Sequence, residues 1–142
     1  MKKIQFFTTN SFSLPQKKMT RELVQEIFST ENKNLNYVNF IFCSDESLLE
    51  LNRKHLDHDY FTDILTFDLS DCANSITSEI YISTDRVREN ALNFKVPFLK
   101  ELTRVIIHGA LHLCGYKDKK KSEISVMRQK ESHYLRLSGY LD

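Results

Sequence analysis

Residues 102–115, LTRVIIHGALHLCG, are apolar nearly all the way round a helical wheel: Val105, Ile106, Ile107, Ala110, Leu111 and Leu113 leave no broad polar face. A helix of that kind is stable only inside a core. The pattern predicts a buried central helix over 98–114, entered after Pro97 and stopped by Gly115. His108 and His112, at i and i+4, share one side of it, with Cβ atoms about 5–6 Å apart. Burying two imidazoles is costly unless they are paired or bound to a metal. Gly109 lies between them, where a mid-helix glycine costs about 1 kcal/mol against alanine. Its presence suggests that another backbone or a substrate approaches closely there. Past the Gly115 turn, Asp118 can swing back toward the histidines. Two imidazoles and a carboxylate leave one tetrahedral position open, the pattern of catalytic zinc. Histidine pairs at this spacing also arise by coincidence; the apolar surroundings and Asp118 are what favour a metal. Zinc peptidases place a glutamate directly after the first histidine as general base, and Gly109 cannot serve.

The rest of the chain predicts what covers this helix. Strands are expected over 3–8, 37–44, 62–69 and 78–84, where β-branched and aromatic residues cluster. Helices are expected over 20–32, capped by Thr20, over 46–56, capped by Ser44 or Asp45, from Thr84 or Asp85 to Leu92, and over 122–137. On the last, Ile124, Met127, Tyr134, Leu135 and Leu137 fall mostly on one side. The order β α β α β β α α α implies an α+β fold, with a single mixed sheet of about four strands packed against helices.

The 142 residues suit one domain, 1–142. No apolar run approaches the length of a membrane span, and the lysine-led start is broken too soon by polar residues to be a signal peptide. Cys43, Cys72 and Cys114 are few, odd in number and widely spaced, as in a cytoplasmic protein with reduced thiols. The net charge of +1 hides an uneven spread: residues 44–90 hold four Lys/Arg against eleven acids, and residues 91–142 ten against five. A basic patch for nucleic acid can therefore exist without a basic chain. The run KDKKK (117–121) is one candidate, although such runs are most often solvated loops.

The block HGALHLCGYKD (108–118) resembles the signature HGxLHLxGYDH of the YbeY family of metal-dependent endoribonucleases. LNRKHLDHDYFTDILTFDL (51–69), SEIYIS (78–83) and MRQKE (127–131) resemble further blocks of that family in the same order. The resemblance implies a zinc site, or one for another divalent transition metal, in which His108 and His112 are ligands and Asp118 stands where the family has a third histidine. Lys117 replaces a usual aspartate. A carboxylate keeps the site feasible and suits harder metals such as manganese. The family's arginine falls on Leu56; Arg53 and His55, with His58, are the candidates to take over its contact with phosphate. Asp63, Asp68 and Glu79 are candidate proton acceptors by position.

The implied activity is endoribonucleolytic, in maturation of 16S ribosomal RNA and ribosome quality control. Its partners would be ribosomal RNA, the small ribosomal subunit and a ribosome-assembly GTPase, with no membrane. A metal of this kind ionises its water near neutral pH or clamps the scissile phosphate. Two alternatives come from other classes. One is a non-catalytic ribosome-assembly factor with a structural metal, favoured by the loss of the arginine and the third histidine. The other is a metallopeptidase-like hydrolase.

Overall fold

Asp45 to Leu56 forms a helix because Ser44 caps it, its side-chain oxygen accepting from the Ser47 N–H. Similar local rules set the other elements of the computed structural model, which describes residues 3–71 and 75–140. In chain order these are β1 (Ile4–Thr8), α1 (Lys17–Thr30), β2 (Leu35–Cys43), α2 (Asp45–Leu56), β3 (Ile64–Asp68), β4 (Ile76–Ser83), α3 (Thr84–Phe94), α4 (Phe98–Leu113) and α5 (Lys121–Leu137). Order and class are those expected, α+β with one mixed sheet. Cys72 lies outside the described residues.

The differences have local causes. α1 begins before the expected Thr20 cap: Gln16 takes a left-handed conformation at its N-terminus, and the Thr20 hydroxyl donates to the Gln16 carbonyl from within the helix. Ser83, one residue before the expected caps, accepts from the Arg86 N–H and starts α3. On α5, Ile124 and Leu137 are exposed, and the buried stripe is Met127, Glu131, Tyr134 and Leu135. It follows the i, i+4, i+7, i+8 spacing of one helical face and includes an acid.

The sheet order is β1-β2-β4-β3. β1 pairs parallel with β2 and β2 with β4, whereas β3 runs antiparallel along β4. Alternation divides the side chains between two faces. One face, with Ile4, Val38, Phe40, Phe42, Ile80 and Ile82, joins α1, α3, α4 and α5 in the main core. The other presents Cys43 and Leu65 to Leu48 of α2, in a small cluster edged by Leu51, Phe67 and Tyr81. α4 is the centre of the main core: Leu102, Val105, Ile106, Ile107, Ala110 and Leu111 are all buried. Burying each larger one contributes roughly 1.5–3 kcal/mol.

Gly109 marks where α4 meets the sheet. A Cβ there would stand 2.9 Å from Ile64 Cδ1 and 3.2 Å from Ile80 Cδ1. The closest protein neighbours are strand side chains rather than another backbone. This contact seats the histidine helix against β3 and β4. Among the described residues no helix is long and apolar enough to cross a membrane.

Candidate metal centre

α4 carries Glu101, Arg104, His108 and His112 at spacings of three, four and four, a single stripe along one side of an otherwise apolar helix. Beyond Leu113 the chain turns at Gly115, whose φ of +102° is left-handed. The Tyr116 N–H donates to the Leu111 carbonyl at 3.1 Å, and its hydroxyl donates to Glu31 Oε1 at 2.6 Å. The loop is thereby tied at both backbone and side chain, and Asp118 returns over the histidines. Asp118 Oδ2 lies 3.2 Å from His108 Nε2 and 3.3 Å from His112 Nε2. One ligand atom from each of the three residues falls within 4.8 Å of the others.

A zinc ion bound tetrahedrally at about 2.0–2.2 Å holds its donors roughly 3.3 Å apart. Both His–Asp separations match that. The chemistry of the donors also fits. His108 Nδ1 lies 2.5 Å from Glu131 Oε2. A carboxylate can only accept, so Nδ1 carries the proton, and in a neutral ring Nε2 turns a lone pair toward Asp118. Two acceptors 3.2 Å apart need a proton or a cation between them.

Glu131, on α5, is 2% exposed. Its Oε1 accepts from Arg104 Nη1 at 3.1 Å and from Arg128 Nη1 at 3.4 Å. Arg104 in turn donates to both oxygens of Glu101, from Nε at 2.9 Å and Nη2 at 2.6 Å. Burial opposes the charge on Glu131, but His108 and Arg104 outweigh it and hold the carboxyl below its ordinary range. Burial likewise opposes the Arg104 charge and is outweighed by Glu101 and Glu131. A buried carboxylate on the far nitrogen of a metal-facing histidine fixes the ring and raises its basicity.

Asp63 enters β3 beside this network. Burial pushes its carboxyl up, Arg104 and His108 pull it down, Glu101 adds to the rise, and the net direction is upward. It is the one of the three candidate acids with these neighbours. Asp68 accepts from the Ser70 N–H, and Glu79 accepts from the Tyr81 hydroxyl.

The α2 candidates and His58 have partners of their own. Arg53 is exposed and paired with Asp59. His55 sits edge-on to Phe67, 5.7 Å between centroids, on the sheet face away from α4. His58 stacks on Tyr60. Leu56 is exposed. The structure thus brings His108, His112 and Asp118 together and leaves Arg53 and His55 outside their cluster. Among the described residues no second metal-holding group appears around His55 and His58. Lys117, Lys119, Lys120 and Lys121 are exposed. Cys114 packs in the core, and burial raises its thiol to about 12.

Glu131, Arg104 and Glu101 were not read from the sequence as parts of the centre. Their signal was present: two charged residues on a buried helix, in register with the histidines, need buried partners.

The profile of the endoribonuclease YbeY family matches residues 5–139. An endoribonuclease YbeY of Flavobacterium psychrophilum is 51% identical over 114 residues, covering 80% of this chain and 81% of its own. One of Christiangramia forsetii is 44% identical over 134 residues, covering 94% and 93%. A solution structure of a Thermotoga maritima protein superposes with a TM-score of 0.65 at 31% identity, covering 95% of this chain and 88% of that one. With the profile spanning nearly its whole length and relatives of this identity covering four-fifths or more of it, the chain belongs to the YbeY endoribonuclease family.

Proposed function

We propose that this protein is a metal-dependent endoribonuclease acting in maturation of 16S ribosomal RNA and in ribosome quality control, with residues 1–142 forming one catalytic domain. The observation that carries the proposal is the convergence of His108 Nε2, His112 Nε2 and Asp118 Oδ2, with Glu131 fixing the first ring from behind. These residues would hold zinc or another divalent transition metal. Such an ion, when bound, lowers the pKa of water and neutralises charge on a phosphate.

The chain's own groups have separable tasks. Glu131 orients His108, and Arg104 bridges Glu131 and Glu101. Arg104 is therefore committed within the protein and is not the substrate's cation. Asp63, whose carboxyl burial pushes up, is the residue proposed to accept and hold a proton. Arg53, exposed on α2, is proposed to contact a backbone phosphate in place of the family's arginine, with Asp59 as the partner it would exchange. His55 was a further candidate for that contact; its place on the other sheet face gives it no step in the proposal.

The family's endoribonuclease activity and the free, buried Cys43 and Cys114 support a cytoplasmic protein working on ribosomal RNA and the small subunit, with a ribosome-assembly GTPase as a further partner. The test is cleavage of a single-stranded ribosomal RNA fragment by the full chain, abolished by a chelator and by His108→Ala, with casein left intact beside it. Leu56 and Asp118 favour one second reading, a non-catalytic assembly factor with a structural metal. RNA binding that survives His108→Ala, with no turnover by the wild type, would establish that one instead.

A further inference from the structure

The loop between α2 and β3 carries three aromatic rings within four residues, His58, Tyr60 and Phe61. Tyr60 is 55% exposed and Phe61 46%. The His58 and Tyr60 rings stack at 5.2 Å with planes 22° apart, and the Tyr60 hydroxyl lies 3.0 Å from His58 Nδ1. The loop is held in shape from beneath. The His58 N–H donates to the Asn52 carbonyl at 3.1 Å, and the buried Asn52 side chain donates from Nδ2 to the Tyr60 carbonyl at 3.0 Å. The Arg86 guanidinium lies over the Phe61 ring, 5.0 Å from its centroid. Exposed apolar area of this extent is unfavourable in water and marks a binding surface when it is held in place.

Its position indicates what binds. Phe61 is two residues from Asp63, a span of at most about 7 Å in extended chain. The next residue, Ile64, places its side chain against Gly109, between His108 and His112. The loop carrying the rings therefore leads directly into the strand that packs against the histidine helix. Residues 57–63 hold three acids and no Lys or Arg, so the loop itself is no cationic surface for phosphates; Arg53, the proposed phosphate contact, lies before it on α2. Aromatic faces take bases of any sequence by stacking.

We propose that His58, Tyr60 and Phe61 form a stacking platform for unpaired bases, which holds single-stranded RNA beside the metal centre. The inference rests on the endoribonuclease reading. Duplex RNA, with its bases already stacked, has nothing to offer the platform.

The chain has no tryptophan, so Tyr60→Trp introduces a single tryptophan at the site, excited apart from the tyrosines. Titrating the metal-free Tyr60→Trp protein with a short single-stranded oligoribonucleotide should quench its emission, and the same sequence as a duplex should not. Tyr60→Ala should weaken single-strand binding by about 5- to 150-fold, the loss of one stacked base, and Tyr60→Phe should restore it. The loss should fall on KM and change little with salt, unlike the loss of a phosphate contact. Phe61→Ala, measured by KM alone, provides a second variant, and unchanged metal content and melting temperature certify the fold of each. Absent quenching together with unchanged KM in the alanine variants would overturn the platform, even if the wild type cleaves RNA. Quenching in a wild-type background that cleaves nothing would keep the platform and remove the nuclease.

Discussion

His108 and Glu131, 23 residues apart and on different helices, meet at 2.5 Å between Nδ1 and Oε2. The contact ties α5 to the candidate metal centre without supplying a ligand. Glu131→Gln keeps the shape but removes the charge that draws the Nδ1 proton. Zinc affinity should fall about 10- to 100-fold, as for other partners behind a ligand. Glu131→Ala should add a folding loss on the order of 1–3 kcal/mol, because Arg104 keeps only Glu101. Isothermal titration with zinc and urea denaturation of both variants measure the two effects separately. Unaltered zinc affinity in Glu131→Gln would remove Glu131 from the centre.

Asp118 is the departure from the family's third histidine, and the geometry gives it a ligand's place. Asp118→Ala should lose stoichiometric zinc, and Asp118→His should keep it. A neutral imidazole is a poorer partner for hard cations than a carboxylate. Asp118→His should therefore bind manganese less well relative to zinc than the wild type does. Metal analysis of the three proteins after dialysis against an equal mixture decides this. Full zinc in Asp118→Ala would place the third ligand elsewhere.

The sequence made α4 and its histidines legible because burial and an i, i+4 spacing are local properties. Asp118 followed from a glycine turn of a few residues. Glu131 was not legible, since its role depends on how α5 packs on α4, which no local periodicity encodes. The same limit applies to the α2 candidates. Whether Arg53 or His55 can approach the histidines depends on which sheet face α2 covers, and that was set by Cys43 and Leu65 packing on Leu48. The start of α1 escaped because a left-handed Gln16 has no sequence signature.

Gly109→Ala sets two effects against each other. Helix propensity favours alanine by about 1 kcal/mol. The new Cβ, however, meets Ile64 Cδ1 at 2.9 Å in a filled core, where overpacking costs typically ~1–3 kcal/mol. Net destabilisation on the order of 1 kcal/mol is expected by urea denaturation. Ile64→Val removes the methyl in the way, so the double variant should be more stable than the sum of the singles. Strict additivity would show that Ile64 is not the obstacle.

Glu31 provides a pH test away from the metal. It accepts from the hydroxyls of Tyr116 at 2.6 Å and Tyr134 at 2.7 Å, and pairs with Lys130 at 3.2 Å. Burial works against its charge, but these three donors outweigh it and hold the carboxyl below its ordinary 4.5. A depressed folded-state pKa stabilises the fold above the unfolded value, and that contribution fades as pH falls through the folded one. Glu131 acts in the same direction. Glu31→Gln should thus cost about 1–3 kcal/mol at neutral pH. The difference from the wild type should shrink as denaturation is repeated at progressively lower pH below about 4.5, while the contribution of Glu131 leaves part of the acid slope in place. Tyr116 stands two residues before Asp118, so loosening it should also weaken zinc binding at neutral pH, where the histidines and Asp118 are otherwise intact. A stability difference that stays constant from neutral to acid would mean that Glu31 contributes shape and not charge, and unchanged zinc affinity would mean that the Tyr116 tie does not steady the Asp118 loop.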